Sequence, residues 1–467
     1  MVRFHLLHTN DLHSHFERVA SLYSKITEFR NQWSEQGDPY LLVDAGDHMD
    51  RARFETEGTD GQINRLLLEQ FAYDAITLGN NELLTFDKDQ LNNLYQAAPF
   101  TILGSNLIDT QRQEQPSWCR RWEIFKRQQV TIGCLGVTVP FDDYYEQMGW
   151  RLDSPLETVA HEVSLLRSKV DLIIVLSHLG LAFDRQLAME VKGIDIIVGG
   201  HTHHLLPKGE QCGDTLIVAA GKFGQFLGQV TIELDDQMKV QSSSAKCIEV
   251  EHDLVEPTIH KMLTHATTNA EQQLSETVVN LCEPLLIDWY QESTFANLLA
   301  DSLADWTGAG LALVNNGQLL ESLPQGDVTR QDLHRVCPHP INPVLLTLKG
   351  QVIRQTIEQS LYPEFQQQEI RGYGFRGEKL GRIAVSGFVV HLDGQFVTRI
   401  EADGQCLVDD QEYLVATIDM FTFGVGYVDL AVGKVEKIFM PEVLRDLLYD
   451  HLSKKDARKR AEVLRFR

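Results

Sequence analysis

The sequence predicts a layered α/β domain followed by an α+β domain. In the first half, short apolar runs end in polar loops and alternate with amphipathic helices, which is typical of parallel strands covered by helices. In the second half, apolar runs are separated by turn signals at Asp393-Gly394 and Asp403-Gly404, which favour an antiparallel sheet. A chain of 467 residues is also too long for one core. We therefore expect two main domains, at residues 1–255 and 281–467, joined by a helix at 256–280.

The first half contains the strands expected to form the layered domain. Each is an apolar run short enough for a buried strand, and helical apolar spacing appears between several of them. The predicted strands are Phe4–His8, Leu41–Val43, Asp74–Leu78, Thr101–Gly104, Ile132–Val137, Leu172–Leu176 and Ile194–Val198, with closing strands between Ile217 and Leu234. The predicted helices are Ile63–Phe71 and Leu156–Ser168.

The second half differs in pattern from the first. It opens with the polar stretch Pro257–Asn280, which we interpret as the connecting helix because its helix propensity is good. The elements predicted after it are an amphipathic helix at Glu292–Trp306, strands at Leu311–Val314 and Val344–Leu348, a helix from Gly350 to Leu361, and further strands from Arg382 onward.

The charge balance restricts the partners of the chain. Lys and Arg total 42 against 66 Asp and Glu, so the formal net charge is −24. Such a field repels nucleic acid polymers and anionic membranes, and we expect neither as a partner. A small anionic substrate is compatible with it if metal ions reverse the sign locally. The seven scattered cysteines, the missing signal-peptide pattern and the absence of a membrane-length apolar run together predict a cytoplasmic location.

Polar residues with metal-ligating chemistry follow the predicted strands. Because parallel strands end at one edge of a sheet, we expect these side chains to gather there. Imidazoles, carboxylates and amide oxygens suit divalent ions such as Mn, Zn, Fe, Ni or Co, and a shared carboxylate is typical of two-ion phosphoester hydrolysis. Taken singly, an Asp or Asn after a strand is often a helix cap, and a lone His often only packs. The candidate ligands are Asp11, His13, Asp47, Asn80, His178, His201 and His203.

The motifs around these residues resemble those of a known family. Asn10-Asp11-x-His13, Gly46-Asp47, Gly79-Asn80-x-Glu82, Ser177-His178 and Gly199-Gly200-His201-Thr202-His203 resemble the calcineurin-like metallophosphoesterases. Glu292-Ser293-Thr294-Phe295-Ala296-Asn297-Leu298, Ala300-Asp301 and Asn315-Asn316-Gly317 resemble the C-terminal domain of the 5′-nucleotidase family. The resemblance implies a metallophosphoesterase sandwich followed by a domain that binds the nucleoside in a cleft between the domains.

The resemblance also implies two sets of metal ligands that share Asp47. Asp11, His13, Asp47 and His203 would hold one ion, and Asp47, Asn80, His178 and His201 would hold the other. A hydroxide bridging the two ions would attack phosphorus in line, with Asn80 and Asn81 beside the phosphoryl group.

The chain departs from the family at Asn81, where a histidine usually stabilises or protonates the leaving oxygen. An amide has no titratable proton near neutral pH, so it cannot act as a general acid. Two explanations stay open. Another histidine, such as His15, His48 or His204, takes the role, or the substrate has a leaving group that needs little protonation.

The nucleoside-binding motifs are altered as well. The family's Asn-Gly-Gly-x-x-Arg appears here as Asn316-Gly317-Gln318-Leu319-Leu320, without the arginine. The Gly-rich loop 371–377 offers two cations and two aromatic rings that suit phosphate and a base, although it could be an ordinary exposed loop. The later aromatic residues could stack on a base or simply pack in the core. The predicted substrate contacts are Asn316, Asn342, Arg371, Arg376, Phe421, Phe423 and Tyr427.

These observations predict a cytoplasmic, two-metal phosphoesterase of 5′-nucleotidase type that lacks the usual catalytic histidine. The expected substrates are nucleotides or nucleotide diphosphate-sugars. Two alternatives remain: a nucleotide-binding sensor with little turnover, and a phosphodiesterase acting on cyclic or dinucleotide substrates.

Overall fold

The structure is a computed structural model that describes residues 2–252, 254–402 and 404–467. The chain divides into two compact units, Met1–Ala270 and Glu271–Arg467. Among the described residues, no α-helix combines the length and the apolar character that a bilayer crossing requires.

The first unit contains fifteen strands and nine α-helices among its described residues. The strands are β1 (Val2–Thr9), β2 (Tyr40–Asp44), β3 (Ala75–Thr77), β4 (Thr101–Leu103), β5 (Leu107–Asp109), β6 (Cys119–Arg120), β7 (Trp122–Arg127), β8 (Val130–Thr138), β9 (Trp150–Leu152), β10 (Leu172–His178), β11 (Ile196–Gly199), β12 (Glu210–Cys212), β13 (Thr215–Val218), β14 (Phe226–Leu234) and β15 (Val240–Glu249). The helices are α1 (Val19–Gln36), α2 (Phe54–Gly58), α3 (Gln62–Gln70), α4 (Asn80–Thr85), α5 (Lys88–Tyr95), α6 (Asp142–Gln147), α7 (Pro155–Leu166), α8 (Leu181–Glu190) and α9 (Pro257–Gln273).

The second unit is built from shorter elements. Its described strands are β16 (Thr277–Leu281), β17 (Ala312–Asn315), β18 (Gly326–Thr329), β19 (Pro343–Lys349), β20 (Ile383–Ser386), β21 (Phe388–Asp393), β22 (Phe396–Ala402), β23 (Gln405–Cys406), β24 (Glu412–Ile418) and β25 (Lys434–Ile438). Its described helices are α10 (Thr294–Thr307), α11 (Arg330–Val336), α12 (Gly350–Gln359), α13 (Pro363–Gln366), α14 (Asp419–Thr422), α15 (Leu444–Leu452) and α16 (Lys455–Ala461).

Two sheets packed face to face form the core of the first unit. One has the order β15-β14-β1-β2-β3-β4-β6, and the other has the order β12-β13-β11-β10-β8-β7. Apolar side chains from both sheets make one buried cluster, and α7 and α8 cover the outer face of the second sheet. The members of the shared cluster include Phe4, Leu6, Leu41, Val43, Ile132, Leu172, Ile174, Leu176, Ile196 and Val198. The layered α/β fold predicted from the strand and helix pattern is confirmed.

Within each of the two sheets, parallel pairing brings neighbouring strand ends together, whereas the sequence predicted a single sheet edge. β1 pairs with β2 so that Thr9 lies opposite Asp44, and β10 pairs with β11 so that Ser177 lies opposite Gly199. Each of these residues stands immediately before a loop that carries candidate ligands. In each sheet, therefore, the register of the paired strands places the two following loops beside each other, although they are distant in sequence.

The predicted connecting helix is shorter than expected. α9 ends at Gln273, and the residues that follow form β16, which pairs with β18. The β-branched run Thr277-Val278-Val279 favours a strand over a helix. Before its end, α9 packs tightly on α2, since a Cβ atom on Gly58 would lie only 2.4 Å from Ala270 Cβ. Most of the helix thus belongs to the first unit.

A mixed five-stranded sheet of order β20-β17-β24-β19-β25 organises the second unit. Most of its pairs are antiparallel, as predicted, but β17 and β24 run parallel. Asp301 on α10 is buried and accepts hydrogen bonds from Arg465 Nη2 at 2.7 Å and from Ser386 Oγ at 2.6 Å. This carboxylate ties the C-terminal segment to α10 and β20.

His339 joins two loops of the second unit through both ring nitrogens. The Arg376 backbone N–H donates to Nδ1 at 2.9 Å, and Nε2 lies 3.1 Å from the Gln318 carbonyl oxygen. The ring is fully buried and stacks on Phe375 with a centroid distance of 5.0 Å. Burial, aided by the charges of Arg376 and Arg445, lowers the pKa of His339 to about 3. The fold therefore requires the neutral imidazole.

We predict that His339 makes the protein sensitive to acid. Its folded pKa lies below the unfolded value of 6.5, so its contribution is complete above pH 6.5 and is lost as the pH falls toward 3. Between pH 7 and pH 5 the loss is about 2 kcal/mol. Urea denaturation at the two pH values should show a smaller decrease for His339→Gln than for the wild type. The exposed-residue control His161→Gln should match the wild type, and an unchanged decrease in His339→Gln would contradict the prediction.

Candidate metal centre

Backbone hydrogen bonds hold together the two loops that carry the first ligands. Asp11 N–H donates to the Gly46 carbonyl at 2.9 Å, and His13 N–H donates to the Asp47 carbonyl at 2.9 Å. Ser14 continues the series with a bond to the His48 carbonyl. These bonds extend the pairing of β1 with β2 beyond the ends of the strands, so the side chains of the two loops are fixed relative to each other.

Five of the seven candidate ligands have left-handed backbone conformations. Their φ angles lie between +47° and +70°, a region that non-glycine residues adopt at a cost of about 1–3 kcal/mol each. The surrounding hydrogen bonds maintain these conformations, and the side chains consequently point toward one another instead of following the strand direction. The residues are Asp11, His13, Asp47, His201 and His203.

One group of donors consists of Asp11, His13 and His203. His13 Nε2 lies 3.1 Å from His203 Nε2 and 3.8 Å from Asp11 Oδ1. His203 Nε2 lies 3.4 Å from the same Asp11 oxygen. The three side chains present two imidazole nitrogens and a carboxylate oxygen within the reach of a single ion.

A second group consists of Asp11, Asp47 and His178, all of them buried. His178 Nε2 lies 3.3 Å from Asp47 Oδ2. The same Asp47 oxygen is 3.8 Å from His13 Nε2, so Asp47 contacts residues of both groups. Burial alone opposes charge on either partner, but their mutual attraction raises the pKa of His178 to about 10 and lowers the pKa of Asp47.

The two remaining candidate ligands are His201, which contacts these groups, and Asn80, which is adjacent in sequence to a residue that does. The rings of His201 and His178 have centroids 5.3 Å apart, and His201 N–H donates to Asp11 Oδ1 at 3.0 Å. Asn80 follows β3, beside Asn81, whose backbone N–H donates to Asp47 Oδ1 at 2.8 Å. Among the described atoms, Asn80 Oδ1 is buried and has no hydrogen-bond partner.

These side chains fit divalent metal ions. The donor set combines carboxylate oxygens, imidazole nitrogens and an amide oxygen, which are the ligands of borderline divalent cations. A buried amide oxygen without a partner is costly unless a cation accepts its lone pairs. Space for the site depends on Gly79, because a Cβ atom there would lie 2.0 Å from Asp47 Oδ1 and 2.6 Å from His178 Nε2.

Buried polar groups outside the ligand set orient the ligands. His178 Nδ1 lies 2.7 Å from the Ala45 carbonyl, which accepts its proton and directs Nε2 toward the Asp47 carboxylate. Asn10 Nδ2 donates to Asp11 Oδ2 at 2.7 Å. The Glu82 carboxylate accepts the backbone N–H groups of Asp47, Met49 and Gly79. Asn10 and Glu82 belong to the sequence motifs, but the sequence alone assigns neither residue a role.

Phe223 and Lys222 also border the centre and were not identified from the sequence. The Phe223 ring stacks on His15 at 3.7 Å and lies 5.8 Å from the His13 ring. Lys222 Nζ lies 4.5 Å from the Phe223 centroid. The turn signal at Gly221 and Gly224 marked this segment only as a loop. The positive charge of Lys222 between these glycines, in so acidic a chain, was the sequence signal that could have pointed to a functional role for this segment.

The three histidines considered as a replacement acid lie in different environments. His15 stacks on Phe223, and burial lowers its pKa to about 4. His48 is buried and bonded to Tyr95 Oη at 3.0 Å, and burial lowers its pKa to about 3. His204 is exposed and bonded to Thr202 Oγ1. Of the three, His15 is the partly exposed one that lies against the ring bordering His13.

Two of the predicted substrate contacts are placed in the core of the second unit. Phe421 and Tyr427 are fully buried, and Tyr427 Oη donates to the Gly381 carbonyl. Rings enclosed on all sides cannot stack on a ligand, so the core-packing alternative is correct for both. Asn316 Nδ2 donates to the carbonyls of Asp288 and Gln291, and Asn342 Nδ2 donates to the Glu442 carbonyl. Both amide nitrogens therefore serve the fold.

The remaining predicted contacts include an exposed aromatic pair. Phe423 is 43% exposed and Tyr373 is 55% exposed, and their ring centroids are 5.8 Å apart. Arg371 is largely exposed on the same Gly-rich loop as Tyr373. The backbone of Arg376 is fixed by His339. The second unit thus presents an exposed ring and a cationic side chain on one anchored loop, next to the exposed ring of Phe423 at the end of α14.

Comparisons with known proteins agree with this arrangement. The calcineurin-like phosphoesterase family model matches residues 4–205, and the 5′-nucleotidase C-terminal domain model matches residues 280–429. The chain is 36% identical over 457 residues to the uncharacterized metallophosphoesterase YunD of Bacillus subtilis, covering 96% of this chain and 98% of that protein. It is 24% identical over 420 residues to human 5′-nucleotidase, covering 76% and 71%.

A solved structure shares the fold over almost the full length. The 5′-nucleotidase precursor of Thermus thermophilus matches with a TM-score of 0.60 at 20% identity, covering 97% of this chain and 96% of that one. The chain therefore belongs to the calcineurin-like phosphoesterases that carry a 5′-nucleotidase C-terminal domain, and it is a metal-dependent phosphoric ester hydrolase.

Proposed function

We propose that this hydrolase uses two divalent ions to cleave phosphate esters of nucleotides or closely related compounds. The observation that carries the proposal is the position of Asp47 Oδ2, which lies 3.8 Å from His13 Nε2 and 3.3 Å from His178 Nε2. A carboxylate placed between two donor groups suits a pair of ions, and two-ion sites are used for phosphoryl-ester hydrolysis.

The ligand sets divide around Asp47. Asp11, His13, Asp47 and His203 would hold one ion, and Asp47, Asn80, His178 and His201 would hold the other. When bound, ions of the Mn, Zn, Fe, Ni or Co class activate water and stabilise charge on the phosphoryl oxygens. One of the nitrogen ligands, His201, already favours the neutral form that a metal ion requires. Burial, followed by the charge of His178, lowers the pKa of His201 to about 4, so His201 is neutral at physiological pH.

Removing the charge of Asp47 should disable both ligand sets. Asp47→Asn preserves the size of the side chain but removes the anion that they share. Because changes even to groups outside the ligand set cost about 10–100-fold, we expect at least a 100-fold lower kcat/KM and less bound metal. Elemental analysis and phosphate release measure both effects. Asp143→Asn, at an exposed position of α6, should change neither. Full metal content in Asp47→Asn would contradict the shared-ligand assignment.

The second unit supports a nucleotide as the substrate. Tyr373 and Phe423 expose their rings side by side, and an aromatic pair of this kind suits a purine or pyrimidine. Arg371 and Arg376 on the same loop suit phosphate or ribose oxygens. The similarity to proteins named as 5′-nucleotidases points in the same direction. If these side chains bind the nucleoside, the enzyme would select nucleotides over simple phosphate esters.

Phe423→Ala and Tyr373→Ala should therefore weaken nucleotide binding selectively. Stacking of a base on an aromatic ring contributes about 1–3 kcal/mol, so KM for a nucleotide should rise correspondingly while kcat changes little. KM for a nitrophenyl phosphate ester should stay constant because no nucleoside is present. The control is Phe396→Ala, which removes an exposed ring from β22, elsewhere in the same unit. Equal rises for both substrates would exclude a base-stacking role.

We further propose that the enzyme favours substrates with good leaving groups. The position usually occupied by an acidic imidazole is Asn81, whose amide cannot protonate a departing oxygen near neutral pH. A phosphate in an anhydride, or an acidic alcohol, leaves without that assistance. A ribose 5′-hydroxyl does not.

Turnover of three substrates tests this preference. A nitrophenyl ester and a nucleotide diphosphate-sugar should both be cleaved faster than adenosine monophosphate. Loss of a positioned acid costs about 10²–10⁴-fold, and that penalty should fall mainly on the monophosphate. Equal or faster turnover of the monophosphate, with metals saturating, would refute the preference.

A further inference from the structure

The Asn81 side chain is directed at a metal ligand. Its Nδ2 atom lies 2.9 Å from His13 Nδ1 and 3.2 Å from the Met49 carbonyl oxygen. Its backbone N–H donates to Asp47 Oδ1 at 2.8 Å. Asn81 therefore contacts the shared carboxylate through its main chain and an imidazole of one ligand set through its side chain.

These contacts use the hydrogen-bonding capacity of the amide. The amide nitrogen has two hydrogens, and the two neighbours at 2.9 Å and 3.2 Å account for both. Asn81 Oδ1 accepts from Asn80 Nδ2 at 3.3 Å. No hydrogen of this side chain is left for a departing oxygen. In this conformation Asn81 thus offers neither a titratable proton nor a free donor to the substrate.

The contact with His13 has a consequence for metal binding. His13 Nε2 is the atom that faces Asp11, Asp47 and His203. For Nε2 to donate its lone pair to an ion, the proton of the neutral ring must lie on Nδ1, which faces Asn81. A carboxamide can serve a ring nitrogen in either state, because a half-turn exchanges its donor end for its acceptor end. With Oδ1 turned toward the ring, the amide would accept the Nδ1 proton and hold the ring orientation. The same half-turn would give up the hydrogen bond to the Met49 carbonyl, so the amide hydrogens are fully used only in the orientation described above.

We propose that Asn81 is a positioning residue that orients His13 and Asp47 for metal binding, in place of the proton donor found at this position in the family. This inference rests on the proposed two-metal function and deepens it, since the residue that replaces the acid acts on the ligands and not on the leaving group.

Metal affinity of the full-length protein tests the proposal. Apo protein is titrated with Mn²⁺ or Zn²⁺ against a chromophoric chelator, and folding is checked by circular dichroism in the presence of EDTA. Asn81→Ala removes the side-chain contacts with His13 and Met49, keeps the main-chain bond to Asp47, and should weaken binding about 10–100-fold. Asn81→Asp keeps an acceptor for the His13 Nδ1 proton and should bind clearly more tightly than Asn81→Ala. The control Asn93→Ala, at an exposed position of α5, should match the wild type.

Rescue by metal separates positioning from acid catalysis. Activity of Asn81→Ala should be low at limiting metal and should approach the wild-type value when metal saturates. An acid or donor role would instead leave a deficit of about 10²–10⁴-fold at every metal concentration. Wild-type affinity in Asn81→Ala, equal affinities of Asn81→Ala and Asn81→Asp, or a deficit that metal does not relieve would overturn the inference. A wild-type protein that binds no metal would overturn the proposed function itself.

Discussion

The backbone pairing of loop 11–14 with loop 46–48 is the constraint on which the metal centre depends. It carries the β1–β2 ladder past the ends of the strands and holds Asp11, His13 and Asp47 in left-handed conformations. Each such conformation costs free energy when the residue is considered alone. In return, side chains that would alternate across a strand converge on one point. Substitutions that weaken this pairing should therefore disturb the geometry of the ligands more than the packing of the hydrophobic core.

Electrostatics adds a second constraint. Asp47 and Glu82 are buried close together, and burial with the charge of Asp47 raises the pKa of Glu82 to about 8. Asp44, also buried nearby, has its pKa raised to about 7, chiefly by burial. Because the net charge of the chain is −24, the rest of the protein supplies little positive charge to stabilise the ionised forms of these groups. Burial favours the protonated forms of these carboxyl groups, and bound divalent cations would instead stabilise the carboxylates and make the site of so acidic a protein compatible with an anionic substrate.

The sequence was sufficient for those parts of the structure that follow a local rule. Short apolar runs ending in polar residues identified the strands, and the family resemblance grouped Asp47 with His178 even though 130 residues separate them. The sequence did not show that these two residues follow strands of different sheets. Features that depend on tertiary packing could not be predicted from the sequence. Phe421 and Phe423 have the same local chemistry, yet one is enclosed and the other is exposed. The hydrogen bond from the Arg376 backbone to His339 and the stacking of Phe223 on His15 likewise join segments that are distant in the sequence, and no sequence pattern predicts such contacts.

Position 81 shows how the two levels combine. Sequence alone establishes that the usual imidazole is missing, and it leaves open what replaces it. The structure adds that the shorter amide turns toward His13 and Met49 and keeps the main-chain contact with Asp47. A side chain that can present either a donor or an acceptor suits a neighbour whose ring nitrogens must exchange roles when an ion binds. If Asn81 orients the ligands as proposed, the requirement for a proton passes from the enzyme to the leaving group of its substrate.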